Sequence, residues 1–349
     1  MLKCYICFRY EKTKNNLKHF SYCLFLFSIF ATYKNDDLFM INRTLLRTKA
    51  VQLLYAFQTS KDTKSIAVVE SEIVSSLQKT YELYYQLLKL SVELTRCAEE
   101  RIEMGRNKFR PTPEERNPNM RFVNNLFIRQ LDEKLLEIEK EKKYVSIWRD
   151  CPDVLKRIFE ELILPLPAYT EYMEKKENEF NEDKNIWKKI YSEIPDFDPF
   201  YELIEEKNIY WADDVDMVSS FVIKTIKRTK EENNLFLVDL EDEEDFLFIK
   251  KLLIEAIENY DENKSYIEKV IKNWDSERIA FMDMIIMILA ISEILNFPTI
   301  PVNVTLNEFI DIAKLYSTEK SGAFINGVLD KVVNLLKTER NFIKVEYVR

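Results

Sequence analysis

The residue types best suited to metal chemistry lie at the start of the chain. Four potential zinc ligands follow the spacing C-x2-C-x11-H-x3-C: Cys4, Cys7, His19 and Cys23. Thiolates and imidazoles are preferred ligands of Zn²⁺ in small tetrahedral sites, so the spacing is compatible with a zinc knuckle or finger. The residues between Cys7 and His19 include no turn glycine, and the run HFSYCLFLFSIFATY is too apolar for a knuckle loop. We therefore favour coincidence over a zinc site and predict no metal.

The same apolar run allows two other interpretations of residues 1–39. A basic start followed by an apolar stretch is typical of a signal peptide, but no small-residue cleavage site follows, and about 12 apolar residues are too few to span a bilayer. Alternatively, Met40 is the true start, because it opens the helix-forming sequence MINRTLLRTKAVQLLYAF. We favour this interpretation and expect residues 1–39 to be a disordered, non-functional extension of a protein that does not enter a membrane.

Catalytic chemistry is poorly represented in the rest of the chain. His19 is the only histidine, so neither a Ser-His-Asp triad nor a Cys-His pair can form within residues 40–349. With three glycines, the chain has no G-x-G-x-x-G or G-x-x-x-x-G-K-[ST] loop to hold phosphates. Its many acidic residues lie along helices, where their usual role is to form a solvated face. We predict a protein that is not an enzyme and uses no cofactor.

The overall composition indicates an all-helical, cytoplasmic protein. Hydrophobic residues make up 46% and charged residues 32% of the chain, which is a foldable composition. Scarce glycine argues against folds built on many tight turns, and five scattered cysteines are typical of a reducing compartment. The net charge of −9 disfavours indiscriminate binding to nucleic acid or anionic membranes, although a local basic face remains compatible with it.

The first helix is such a local basic face. Its apolar spacing predicts a helix over residues 42–58, capped by Asn42. Arg43, Arg47 and Lys49 lie at its start and flanks, and no acidic residue accompanies them. These three side chains can supply contacts to nucleic-acid phosphates.

Residues 61–208 read as a separate helical unit without a catalytic constellation. A long helix ends near Gly105, and proline-marked breaks separate further helices near 120–142, 144–163 and 168–191. Two more helices, 211–231 and 243–260, flank an acidic run. That run resembles a cation site, but acidic residues also favour the positive end of a helix dipole, and we prefer the second explanation.

The C-terminal part has the clearest pattern. ERIAFMDMIIMILAISEIL is apolar on nearly all sides, which predicts a buried central helix. Thr305 and Glu308 have the spacing of a capping box that opens the next helix. Ser321 is then expected to cap the last helix, where free amides form a ready anion site beside Lys314 and Lys320.

Two of the three glycines lie in this last helix, in the segment EKSGAFINGVLDKV. Glycine in a helix interior costs about 1 kcal/mol relative to alanine, so both positions need an explanation. We expect Gly322 to leave the helix start open to a ligand. Gly327 permits either close helix packing or close approach of RNA, and packing is the safer prediction.

Read in order, these segments resemble one protein family. NRTLLRTKAVQLLYAF has a basic start running into A-x-Q-x-L-Y, and the central helix is followed by PTIPVNVTLNEFIDIAK and FINGVLDKV. This series is similar to the NusB family of bacterial transcription antitermination factors. The resemblance implies an all-α, NusB-like helical bundle that binds single-stranded boxA-type RNA with the ribosomal small-subunit protein NusE, among other Nus factors of the transcription elongation complex on ribosomal RNA operons.

The resemblance also implies roles for particular residues. It carries an RNA-contacting role to the first helix and to the start of the last one, at Arg43, Arg47, Lys320, Ser321 and Phe324. For Phe324 we weigh base stacking against an ordinary core position. Asp283 matches an acidic position at the interface with the protein partner, with a solvated helix surface as the alternative. Gln52 and Tyr55 are expected to be structural.

The chain departs from the family in two ways. Its basic cluster is sparse and Lys320 occupies a position that is often acidic in relatives. In addition, a large helical insertion follows the first helix. We therefore predict this organisation, in chain order: extension 1–39, first basic helix 40–60, insertion 61–208, remainder of the NusB-like domain 209–338, and tail 339–349.

Two alternatives remain for the function. The insertion can make the protein an interaction scaffold. NusB-like domains also precede the catalytic domain of certain ribosomal RNA cytosine methyltransferases, but the resemblance here ends at the C-terminus, with no glycine-rich cofactor domain beyond it.

Overall fold

The structure is a computed structural model of the chain. It describes residues 37–60, 65–142, 144–175, 177–231, 243–271, 279–318 and 320–340. Fourteen α-helices and no strand lie within these ranges, which confirms the all-helical fold class. The potential zinc ligands and the acidic stretch before residue 243 lie outside the described residues.

The helices are numbered in chain order. The first seven are Asp37–Thr59 (α1), Ile66–Arg106 (α2), Pro113–Arg116 (α3), Leu126–Lys142 (α4), Pro152–Arg157 (α5), Pro167–Glu174 (α6) and Phe180–Glu193 (α7). The next seven are Asp198–Lys207 (α8), Ile209–Arg228 (α9), Glu243–Glu258 (α10), Tyr260–Val270 (α11), Phe281–Asn296 (α12), Val302–Tyr316 (α13) and Ser321–Arg340 (α14). Shorter helical turns cover Trp148–Asp150, Ile158–Ile163 and Ile194–Asp196. None of the described helices is long and apolar enough to cross a membrane.

The chain divides into two compact units. We call Gln78–Val238 the insertion unit, and Asp37–Leu77 with Asp239–Arg349 the terminal unit. The division differs from the predicted limits at residues 61 and 208. The start of α2 belongs to the terminal unit, where Val69 and Ile73 are buried, whereas α9 packs within the insertion unit on α7 and α8.

The insertion unit has an aromatic core of its own. Phe122 lies among several rings, with its centroid 5.2 Å from that of Trp187, and Trp148 stacks on Phe200. Pro152 and Pro167 each open a helix at its first position. The predicted helix 144–163 is therefore interrupted at Pro152. The predicted helix 168–191 is divided into α6 and α7, between Glu174 and Phe180.

The terminal unit is built around α12. Every residue from Met282 to Ile294 is buried, which confirms the predicted central helix. Among the described residues, five helices pack extensively on it: α1, α10, α11, α13 and α14. A helix that is covered on all sides fixes the positions of the surrounding helices, including both segments predicted to bind RNA.

The predicted helix caps are wrong at three positions. Helix α1 begins at Asp37 and so runs through Asn42. Helix α13 begins after Pro301, whose carbonyl accepts the amide hydrogen of Thr305 at 3.2 Å, so Thr305 lies inside the helix. Ser321 is the first residue of α14 rather than its cap, and its amide donates to the carbonyl of Thr318 at 3.0 Å.

The two glycines of α14 have different surroundings. Gly322 is buried, and a Cβ atom there would lie 3.3 Å from Cγ of Lys314 and 3.7 Å from Cγ2 of Ile310. This corrects the expectation that Gly322 leaves the helix start open. Gly327 is exposed, and a Cβ atom there would meet nothing within 4 Å, so close helix packing does not explain it.

We expect Gly327→Ala to stabilise α14 by about 0.5–1 kcal/mol, because alanine reduces the entropy of the unfolded chain and meets open space in the helix. The matched control is Gly322→Ala, which should gain less because its methyl group presses on Lys314. Hydrogen exchange of α14 amides measures both effects. Equal gains at the two positions would contradict this account of their surroundings.

Candidate functional site

Arg47 is a buried charged residue of α1 that pairs with two carboxylates. Its side chain is buried, and its Nε donates to Glu293 Oε2 at 2.7 Å while Nη2 donates to Oε1 at 3.0 Å. Nη1 lies 3.4 Å from a carboxylate oxygen of Glu308. This bidentate pairing with a carboxylate of α12 matches the planar geometry of the guanidinium. Arg47 therefore lacks the solvent-facing position that a phosphate contact requires, which corrects the prediction for it.

The network around Arg47 also accounts for the misassigned capping box. Thr305 donates its hydroxyl to Glu293 Oε1 at 2.7 Å, and Thr44 donates to Glu308 Oε2 at 2.7 Å. The Thr-x-x-Glu spacing thus serves buried partners on α1 and α12 instead of its own helix start. We call Thr44, Arg47, Glu293, Thr305 and Glu308 the buried network.

Burial and charge act in opposite directions within this network. Burial disfavours the charged form of Arg47, but the neighbouring carboxylates, above all Glu293, outweigh it and raise the pKa of the guanidinium. Burial raises the pKa of Glu308, and the attraction of Arg47 only partly offsets that rise. Arg47 thus stays charged, and the raised pKa of Glu308 makes its charge depend on pH.

The other two cations of α1 differ in accessibility. Lys49 is fully buried, so the predicted phosphate contact by its side chain also needs correction. Arg43 is only half-buried, and its guanidinium carbon lies 5.3 Å from the centroid of the Phe248 ring. Of the three predicted cations, Arg43 is the one that reaches the surface.

Asp283 and Ser321 form a second buried polar cluster at the start of α14. Ser321 donates its hydroxyl to Asp283 Oδ2 at 3.0 Å, and the hydroxyl of Ser317 donates to Oδ1. The amide of Thr318 donates to Ser321 Oγ at 3.2 Å. Asp283 is 5% exposed and Ser321 is 2% exposed, so neither offers a side chain to a partner as predicted. They instead hold the α13–α14 loop on α12.

The accessible part of this region consists of Lys314, Lys320 and Phe324, which we call the α14 mouth. Lys320 is exposed, and Phe324 is half-buried in the first helical turn. The stem of Lys314 covers Gly322, and its ammonium pairs with Asp311 at 2.7 Å. The structure therefore brings both predicted lysines to one helix start.

An aromatic pair near the mouth went unnoticed in the sequence. Phe281 is 41% exposed at the start of α12, two residues before Asp283, and its ring centroid lies 5.4 Å from that of Tyr55. The apolar run around Phe281 predicted burial on all sides, which concealed this exposed ring. The pair offers a surface on which a nucleic-acid base can stack.

Arg43 and the α14 mouth are separated along the direction of α1. Thr44 bonds to Glu308, and Gln52 donates to the hydroxyl of Tyr316 at 3.1 Å, so α1 and α13 run in the same direction. At 1.5 Å rise per residue, the eight residues from Thr44 to Gln52 correspond to about 12 Å. The accessible cations thus lie in two separate places, with Arg43 in one and Lys314 and Lys320 in the other.

Comparisons with known proteins agree with these segments. The model of the NusB family matches residues 215–334, which run from within α9 into α14. Transcription antitermination protein NusB of Natranaerobius thermophilus is 40% identical over 95 residues, covering 27% of this chain and 68% of that protein. The protein of the same name from Chloroherpeton thalassium is 40% identical over 92 residues, covering 26% of this chain and 44% of its own length.

A third relative gives a similar result. Transcription antitermination protein NusB of Methylacidiphilum infernorum is 42% identical over 92 residues, covering 26% of this chain and 64% of that protein. No solved structure matches the chain. The matched region includes α12, α13 and the α14 mouth but not α1.

We expect Arg47→Met to destabilise the terminal unit by about 3–5 kcal/mol, because it leaves the buried carboxylate of Glu293 unpaired. The control Arg43→Met should cost less than about 1 kcal/mol. The double variant Arg47→Met/Glu293→Met should recover part of the loss, since it removes both buried charges. Hydrogen exchange of α12 amides reports the change, and similar losses from the two single variants would contradict the proposed role of the network.

Glu308→Gln should change how stability depends on pH. Since the folded protein raises the pKa of Glu308, its stabilising effect is fully present below the unfolded pKa of about 4.3 and is lost as pH rises through the folded pKa. The stability of the native protein relative to Glu308→Gln should therefore fall as pH rises above about 4.3. Hydrogen exchange of α13 amides, corrected for intrinsic rates, measures the difference. A relative stability that rises with pH would show that the Arg47 attraction dominates instead.

Proposed function

Because the chain belongs to the NusB family, we propose that it is a non-enzymatic, RNA-binding transcription antitermination factor. The general assignment to a NusB-like function rests on the matched family model and on relatives whose names state transcription antitermination. The all-helical terminal unit around α12 is compatible with it.

The finer proposal concerns the RNA and the partners. We propose that the protein binds boxA-type single-stranded RNA together with the ribosomal small-subunit protein NusE. It would do so in the cytoplasm, as part of the elongation complex with other Nus factors, and would support transcription of ribosomal RNA operons. The motif series of α1, α12, α13 and α14 supports this proposal.

The observation that carries the RNA-binding proposal is the geometry of the α14 mouth. Single-stranded RNA is bound through contacts to its phosphates and by stacking of its bases on aromatic rings. Lys320 is exposed at the start of a 20-residue helix, where the dipole also favours an anion. Phe324 lies one turn away, and Phe281 adds an exposed ring on α12.

Arg43 extends the proposed surface. Its distance of about 12 Å along α1 from the level of the mouth suits an extended strand better than a compact ligand. The buried positions of Arg47 and Lys49 leave the phosphate contacts of α1 to Arg43. We therefore propose a path for RNA from Lys320 past Phe281 to Arg43.

We expect Lys314→Glu/Lys320→Glu to weaken binding of a boxA-type RNA and to lower its salt dependence. Two lost contacts to single-stranded RNA should reduce the slope of log K against log salt by about 1.4. The control is Lys269→Glu/Lys337→Glu, which makes the same charge change at exposed positions, on α11 and near the far end of α14. Fluorescence anisotropy at several salt concentrations measures both, with and without purified NusE.

The control should retain the native slope. Equal slopes for the native protein and the Lys314→Glu/Lys320→Glu variant would remove the α14 mouth from the RNA interface. Failure of the native protein to bind boxA-type RNA even with NusE present would overturn the finer functional proposal.

A further inference from the structure

The insertion unit contains an open cavity with a basic lining. It has a volume of about 470 Å³ and lies between the start of α7 and the end of α9. Four of its lining residues are cationic and one is acidic: Lys184, Lys227, Arg228, Lys230 and Glu231. This excess of positive charge stands in a chain whose net charge is −9. All of these residues lie within one compact unit.

Lys184 has a structural role that explains its own burial. Its ammonium donates to the carbonyl of Lys227 at 3.1 Å and to that of Thr229 at 2.6 Å. The C-terminal end of a helix carries partial negative charge, so Lys184 stabilises the end of α9. The role does not explain why further cations surround it.

The additional cations repel one another. Lys188 follows Lys184 by one turn of α7, and Lys227 lies on α9. The pKa of Lys184 is lowered by burial and then by the charge of Lys188, and the pKa of Lys188 is lowered by burial and then by the charge of Lys227. These cations thus disfavour one another's charged forms, and an anion bound near them would favour those forms.

We propose that this cavity binds backbone phosphates of RNA, which gives the insertion unit an RNA contact of its own. Lysine ammonium groups act as point charges that recognise phosphate without regard to base sequence. Asn181 also lines the cavity and is exposed, and its amide can form hydrogen bonds with the sugar or base of a nucleotide that a bare ion cannot provide. The choice of RNA as the source of the phosphate rests on the proposed function.

The charge distribution favours a strand that enters from solvent. Lys227 and Lys230 are exposed, whereas Lys184 lies at the back of the cavity with 8% exposure. A phosphate at the opening thus meets two accessible ammonium groups, with a third positive charge behind them. The insertion would then extend the RNA contact to nucleotides beyond the boxA element.

Lysine acetylation followed by mass spectrometry tests the location. A 20-nucleotide oligouridine should reduce acetylation of Lys227 and Lys230 several-fold, while Lys140 and Lys156, exposed elsewhere in the insertion unit, should be unaffected. Inorganic phosphate at the same phosphate concentration should protect them far less. Equal protection by the two probes would overturn RNA as the ligand, and binding of oligouridine without protection of Lys227 and Lys230 would overturn the site.

Charge reversal tests the contribution to affinity. Lys227→Glu/Lys230→Glu should lower the salt slope for a 40-nucleotide RNA that contains a boxA-type element by about 1.4, for two lost single-strand contacts. The control Lys140→Glu/Lys156→Glu makes the same charge change at exposed positions in the last turns of α4 and α5, and should retain the native slope. Circular dichroism melting checks that both double variants fold. If either does not, the acetylation experiment on the native protein still tests the site.

The outcomes separate this inference from the proposed function. Protection at the cavity without any preference for boxA-type RNA would leave this inference in place and overturn the proposed function. Preference for boxA-type RNA with protection confined to Lys314 and Lys320 would support the proposed function and overturn this inference. Identical salt slopes for Lys227→Glu/Lys230→Glu and its control would also overturn the inference.

Discussion

The buried ion pair between Arg47 and Glu293 is the constraint on which the terminal unit depends. The two residues are 246 positions apart in the chain, yet two nitrogen–oxygen contacts of 2.7 and 3.0 Å join them. A guanidinium removed from water needs its carboxylate in the right place, because an unpaired buried charge is costly. Thr305 and Glu308 extend the same requirement to α13. The register of α1 against two other helices is fixed by this one group.

This constraint explains how a large insertion can follow the first helix. The entropic cost of closing a chain between two contacts grows only with the logarithm of its length, so an inserted segment that folds by itself adds little. The aromatic core around Phe122 and Trp187 gives the insertion unit its own stabilisation. What the insertion must preserve is the return of the chain to α12, where Glu293 meets Arg47.

The same constraint limits which cations can meet RNA. Sequence reasoning treats a lysine or arginine on an amphipathic helix as solvent-facing, but Arg47 pairs with Glu293 of α12, and Lys49 is fully buried as well. Asp283 is likewise buried by the hydroxyls of Ser317 and Ser321. Polar residues next to the central helix therefore position the helices and loops around it. The RNA surface is left to residues at helix ends, such as Lys320, and at the outer edge of α1, such as Arg43.

Local sequence patterns therefore predicted where the helices lie better than they predicted which residues contact one another. Periodicity and prolines located α2, α12 and the breaks in the insertion, because these depend on neighbouring residues. The Thr-x-x-Glu spacing at Thr305 was misread because the same spacing fits a capping box and a buried network, and only distant residues decide between them. The basic cavity was missed for a similar reason, since Lys184 meets the carbonyl of Lys227 across 43 residues. The insertion unit begins at Gln78, inside the continuous helix α2, where composition does not change.

The two glycines of α14 show how far contacts alone can explain a residue. At Gly322 the aliphatic stem of Lys314 lies where a side chain would need room, so packing accounts for the glycine. At Gly327 the space is open, and the helix bears the conformational cost of glycine with no packing in return. A position that is unfavourable for stability and exposed on the helix that carries Lys320 is best explained by something that approaches the backbone from outside. Under the proposed function that approach is made by RNA, and Gly327 then belongs to the same surface as the α14 mouth.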